Sequence, residues 1–264
     1  MTLPLKLSAN LGFLWPEAPL LARIEHAGQA GFHGIEMHWP YDVPAQEVAR
    51  QCREWNLEVL SINTPQGNVA QGDSGLAAQP GRESEFRAAF ELTLDWARNS
   101  GARMIHVLPG RRCDDMQSAT ASFVENLRWA SDLAQPHGIV LLLEAINGRD
   151  KPGYFYHTQE ASDAIRHACA RGNVKLMFDV YHVGVAQGDI LKRLDRFLEH
   201  IAHVQVAGVP DRDEPDLGEV RYEVVFQHLV RRRYQGWIGC EYRARDDTVA
   251  GLNRWIKACG LSLK

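Results

Sequence analysis

Short β-type runs and longer helical patterns alternate eight times along this chain, and that alternation narrows the possible folds more than any other feature. The β-type runs fall at 5–10 (LKLSAN), 34–38 (GIEMH), 57–63 (LEVLSIN), 103–108 (RMIHVL), 139–146 (IVLLLEAI), 174–180 (VKLMFDV), 201–207 (IAHVQVA) and 236–242 (GWIGCEY). Helical patterns fill the intervals, near 19–30, 44–55, 82–100, 118–136, 158–170, 189–199, 221–234 and 247–259. Thr158 followed by Glu160 marks one helix start, and Gly101 and Gly138 close two helices. Parallel strands need a long crossover between them, and a helix supplies it. Eight such units predict an α/β fold, a single (β/α)8 TIM barrel spanning 1–264. An open doubly wound sheet would carry a glycine-rich phosphate turn after its first strand, and no G-x-G-x-x-G follows 5–10.

With 264 residues the chain has the usual size of such a barrel, about 250 residues in one domain. Hydrophobic residues at 45% against 23% charged suffice for one large core, which argues against extended disorder. The formal net charge is −4, so nothing global attracts a nucleic-acid backbone. The basic run Arg231-Arg232-Arg233 ends a helical pattern, where cations suit the exposed carbonyls. Five cysteines form no C-x-x-C pair, which points away from a zinc knuckle and toward a reducing compartment. The opening Met1-Thr2-Leu3-Pro4-Leu5-Lys6 lacks the apolar stretch of a signal peptide, and no run approaches membrane length. A cytoplasmic protein with neither membrane nor nucleic-acid partner is expected, with self-association left open. The longest interruption, 64–81, follows the third strand on the face where barrels place their chemistry, and is expected to close over the site.

Barrel strands end in apolar residues unless the mouth needs polarity, and the last four strands here do not. Glu144 follows Leu141-Leu142-Leu143, Asp179 follows Met177-Phe178, Gln205 follows His203-Val204, and Glu241 follows Gly239-Cys240. Side chains alternate across a strand, so each of the four shares its face with the residue two before it. A single carboxylate at a strand end reads equally well as a loop residue reaching solvent or capping a helix. Four oxygen side chains on consecutive strands are harder to explain that way. Three converging carboxylates would repel and raise one another's pKa values, and a divalent cation removes that conflict. Oxygen-only ligation favours a hard ion such as Mg2+ or Mn2+. His182, three residues past Asp179, can face the same pocket or sit at its edge. His106 ends the fourth strand as a pocket or core histidine, and His203 lies one layer below Gln205. Arg212, in the loop after the seventh strand, suits an anion clamp, or an ion pair with Asp211, Asp213 or Glu214.

These residues carry a resemblance. The chain resembles the hydroxypyruvate isomerase family within the xylose-isomerase-like barrels over nearly its full length. The most specific stretches are NTPQGN (63–68), QPGRESEFR (79–87), LLEAINGRDKPGYF (142–155), FDVYH (178–182), HVQVAGVPDRDEPDLGEVRY (203–222) and YQGWIGCEYR (234–243). The resemblance implies that Glu144, Asp179, Gln205 and Glu241 bind the metal, that the two glutamates are the acid/base pair, and that His182 and Arg212 contact substrate. Asp150, in the Asn147-Gly148-Arg149-Asp150 run, and His106 join the expected substrate contacts. The implied reaction is a 1,2 carbonyl shift through a cis-enediolate. Asn147–Asp150 is similar to hydroxypyruvate isomerases, whereas 207–212 is more similar to 2-oxo-tetronate isomerases. Asp213 stands where relatives commonly carry histidine, and is expected to draw charge from Arg212. A sugar epimerase would use similar machinery. An AP-endonuclease-like DNA-repair enzyme is the distant alternative, since the chain reads Asp211-Arg212-Asp213 where such enzymes show a histidine-rich pattern.

Overall fold

Alternation within the strands sorts their side chains into two apolar populations. One, including Leu7, Ile35, Ile105, Leu141, Leu176, Val204 and Ile238, joins the core shared with the helices. The other, Leu60, Met104, Leu142, Met177 and Trp237, forms a separate cluster. That is the pattern of a closed barrel with a filled interior and an outer helical layer. A computed structural model describes residues 3–264. Its parallel strands are β1 (Lys6–Asn10), β2 (Gly34–Glu36), β3 (Glu58–Val59), β4 (Ser61–Asn63), β5 (Met104–His106), β6 (Val140–Glu144), β7 (Val174–Asp179), β8 (Ile201–Val206) and β9 (Trp237–Cys240). They run in the order β3-β2-β1-β9-β8-β7-β6-β5-β4.

The two ends of that order are halves of one strand. The run 57–63, expected as a single strand, breaks because the alternation slips there. Leu60 packs in the interior cluster, and the next residue, Ser61, also turns inward to Glu36. Leu60 nonetheless closes the ring, its N–H donating to Ile35 O at 2.8 Å and its carbonyl accepting from Met104 N at 2.8 Å. Around the barrel lie α1 (Leu20–Gln29), α2 (Ala45–Glu54), α3 (Glu83–Ser100), α4 (Met116–Ala134), α5 (Gln159–Cys169), α6 (Val180–Ala186), α7 (Ile190–Phe197), α8 (Tyr222–Arg231) and α9 (Thr248–Ala258). Thr158 caps α5 by accepting from Ala161 N at 3.2 Å, and Gly101 ends α3 in the left-handed region at φ 81°. The short helix α6 has no counterpart among the helices expected from sequence. Asp179 starts it directly off β7, with Oδ1 accepting from Tyr181 N at 2.8 Å.

In the segment 64–81, expected to close over the site, 67–72 is exposed and 74–78 is packed down. Leu76, Ala77 and Ala78 are buried, and the N–H groups of Ala77 and Ala78 donate to Leu108 O and Pro109 O at 3.2 and 2.8 Å. An Arg82–Asp73 ion pair at 2.8 Å braces it further. Its apolar residues draw it down as a strap over the fourth βα connection. Of the basic run, Arg232 pairs with Asp195 of α7 at 2.6 Å. Among the described residues all five cysteines are free, and no helix is long and apolar enough to cross a membrane.

Candidate active site

The carboxyl ends of the strands open into a cavity of about 670 Å3. Glu144, Gln205 and Glu241 line it beside His106 and His182, and Asp179 lies buried against His182. All four strand-end residues expected from sequence are therefore brought to one end of the barrel. The lining passes from Asn63 to His106, and no residue of 64–81 contributes to it.

Asp179 divides its carboxylate between two tasks. Oδ1 caps α6, and Oδ2 points inward, 3.5 Å from His182 Nε2 and 3.6 Å from Arg212 Nη2. Glu144 Oε1 lies 3.6 Å from the same His182 nitrogen, and Glu144 Oε2 lies 3.4 Å from His106 Nδ1. Glu144, Asp179 and His182 thus each offer a ligand atom within 4.8 Å of the others. Glu144 Oε1, Asp179 Oδ2 and Gln205 Oε1 are buried without a hydrogen-bond partner. Buried oxygens are seldom left so, and three at one place suit a cation.

His182 reads differently from the carboxylates. Asp150 N donates to Asn147 Oδ1 at 2.9 Å, which turns the Asn147 amide nitrogen toward His182 Nδ1 at 2.6 Å. Nδ1 therefore accepts. Burial, then Arg212, pushes the imidazole pKa down to about 3, so the neutral ring carries its proton on Nε2, facing Glu144 and Asp179. A donor there suits a substrate oxygen better than a metal. Burial likewise lowers His106 to about 3.

Charge separates the two glutamates. Burial, then the negative charges of Glu241 and Asp179, pushes Glu144 well above the carboxylate range. Burial pushes Glu241 up too, but Arg212 and His38 outweigh it and hold Glu241 below that range. Arg212 Nη2 lies 2.6 Å from Glu241 Oε1, and Asn10 Nδ2 donates to Glu241 Oε2 at 3.1 Å. Of the two readings of Arg212, the ion pair with its acidic chain neighbours is not the one formed. Its guanidinium turns into the cavity over the rings of Phe13 and Tyr181, 4.6 and 5.0 Å from their centroids, away from its acidic chain neighbours. Asp213 does not neutralise it, because Asp213 Oδ2 accepts from Arg245 Nε at 2.7 Å. Asp150 sits at the rim, accepting from Tyr181 OH at 2.7 Å.

Several cavity residues escaped the sequence reading. Asn10, His38 and Asn63 sit at strand ends without a charge pattern to mark them. Glu36 had a visible signal, an acid inside the apolar run GIEMH, and it is buried on β2.

Residues 24–259 match the family described as xylose isomerase-like TIM barrel. The chain belongs to that family. Within it, the chain is 39% identical to a 2-oxo-tetronate isomerase of Cupriavidus necator, covering 96% of this chain and 97% of that one. It is 37% identical to a hydroxypyruvate isomerase of Escherichia coli, covering 96% and 98%. A crystal structure from Brucella melitensis, described as an AP endonuclease of family 2, superposes with a TM-score of 0.93 at 37% identity, covering 98% and 99%. The eight alternations predict the barrel, and the resemblance of the chain's most specific stretches implies the family that the match shows.

Proposed function

We propose that the chain is a divalent-metal-dependent isomerase that interconverts hydroxypyruvate and tartronate semialdehyde, working in the cytoplasm on a free small acid. The observation that carries this reading is the convergence of Glu144, Asp179 and Glu241 with the guanidinium of Arg212 at the mouth of one barrel. Relatives of 39 and 37% identity named for isomerases of such acids support it. In this reading Glu144, Asp179, Gln205 and Glu241 hold Mg2+ or Mn2+, and the unpartnered oxygens of the first three fit that role. A bound ion would polarise the substrate carbonyl and stabilise negative charge as a Lewis acid.

The proton transfers belong to the protein. Glu241, which Arg212 keeps ionised, takes the carbon-bound proton, leaving a cis-enediolate. Glu144 returns a proton at the neighbouring carbon, the proton held by Glu241 then passes to Glu144 and resets the pair, and His182 relays the hydroxyl proton between the two oxygens through its Nε2–H. The reaction moves hydrogen within one molecule, so no external oxidant or reductant is required. Arg212 and Asp150 orient the substrate beside His106, and Arg149, Lys151 and Arg243 around the cavity favour an anion.

A second reading, 2-oxo-tetronate isomerisation, is favoured by the Cupriavidus relative and by a cavity roomy enough for one more hydroxylated carbon. DNA repair, raised by the name of the Brucella protein, gains no help from a net charge of −4. Assaying hydroxypyruvate and 2-oxo-tetronate side by side tests the proposal. Turnover of hydroxypyruvate that EDTA stops and Mn2+ restores is expected. Inertness toward both acids with metal present contradicts it.

A further inference from the structure

Glu36 is a buried carboxylate that the proton transfers do not use. Donors converge on it from three other strands. Ser8 Oγ of β1 donates to Oε1 at 3.1 Å, and Ser61 Oγ of β4 reaches Oε2 at 3.5 Å. His203 Nε2 and Gln205 Nε2, both on β8, lie 2.9 Å from Oε2. The space for this carboxylate comes from Gly239 on β9. A Cβ there would run into Glu36 Oε1 and stand 2.8 Å from His203 Nε2.

The consequence falls on Gln205. An amide presents a donor at one end and an acceptor at the other, and its terminal torsion is broad and nearly two-fold. Left free, it would turn N–H toward a cation as readily as oxygen. With its nitrogen seated on Glu36, its oxygen is the end left over, and Gln205 Oε1 is buried without a partner on a residue that lines the cavity. We propose that Glu36 is a positioning residue whose hydrogen bond to the Gln205 amide aims Gln205 Oε1 at the divalent cation, in space that Gly239 leaves open. This inference rests on the metal-dependent reading above. Supporting residues of this kind commonly change metal affinity by about 10- to 100-fold.

The test is calorimetric titration of Mn2+ into chelator-treated wild type, Glu36→Gln and Gly239→Ala, alongside thermal unfolding of the metal-free proteins and 15N NMR of side-chain amides. The new amide in Glu36→Gln can donate to Gln205 Oε1 and occupy the ligand oxygen. It is expected to weaken Mn2+ binding by roughly 10- to 100-fold with a metal-free Tm close to wild type. KM for the acid at saturating Mn2+ should stay near the wild-type value, and Gly239→Ala should shift affinity in the same direction. In the wild type the Gln205 side-chain NH2 signal, assigned by its loss in Gln205→Glu, should exchange slowly with solvent. Folded Glu36→Gln that binds Mn2+ like the wild type overturns the role of Glu36 alone. A freely exchanging Gln205 NH2 in the wild type does the same, whatever the variants do. Wild type that binds no Mn2+ overturns the metal reading itself, and this inference with it.

Discussion

Glu144 and Glu241 share burial and a cavity, yet only Glu241 meets Arg212 at 2.6 Å. A carboxyl raised by burial, as Glu144 and Asp179 are, keeps its proton at pH values where an ordinary one has lost it. A cation must displace the Asp179 proton, while Glu144 keeps its own for the transfer, so Mn2+ affinity should rise with pH through the range just above the usual carboxylate values. Calorimetry in two buffers of different ionisation enthalpy should show proton release, and a heat independent of buffer would contradict these protonation states. Removing the guanidinium should act in the opposite sense on Glu241. In Arg212→Ala its pKa climbs, so the acidic limb of kcat/KM moves to higher pH and KM for the acid rises. Arg212→Lys should restore only part of this, because a point charge does not reproduce a fork. An unmoved profile in Arg212→Ala would dissociate Arg212 from Glu241.

The elements position these residues by their ends. β6 delivers Glu144, β8 delivers Gln205, and the chain leaving β9 delivers Glu241, while β7 and α6 meet at Asp179. Strand periods and the helix boundaries at Thr158 and Gly101 were readable from the sequence, because alternation and capping are local. Other features were not. The slip at Leu60–Ser61 depends on Glu36 across the barrel, α6 on a cap whose other oxygen faces the cavity, and the 64–81 strap on backbone hydrogen bonds to Leu108 and Pro109. Such long-range partners leave no periodicity. Thr158→Ala tests the local rule. Loss of the hydrogen bond to Ala161 N should cost about 1 kcal/mol, read as a lower urea midpoint at unchanged slope. An unchanged midpoint would mean that the cap is idle.

Across the whole molecule, the barrel interior is layered. The apolar plug of Leu60, Met104, Leu142, Met177 and Trp237 lies below the polar layer that carries the site. Leu142 stands two residues before Glu144 on one face of β6, so Leu142→Ala should cost about 2–5 kcal/mol and loosen the glutamate above it. Chemical denaturation measures the first effect, and a lowered kcat in the folded variant the second. The four strand-end residues could be found from sequence because their strands are parallel and in sequence order. Arg212's partner could not, because a loop residue at φ 62° takes its direction from the folded chain. On the proposed function, Glu144 and Glu241 move protons at a metal site. Solvent exchange in D2O asks that directly. The Mn2+-loaded enzyme should incorporate deuterium at the reacting carbon of hydroxypyruvate, and chelation, Glu144→Gln or Glu241→Gln should each reduce incorporation to background. Exchange at the wild-type rate in either variant, or in the chelated enzyme, would contradict it.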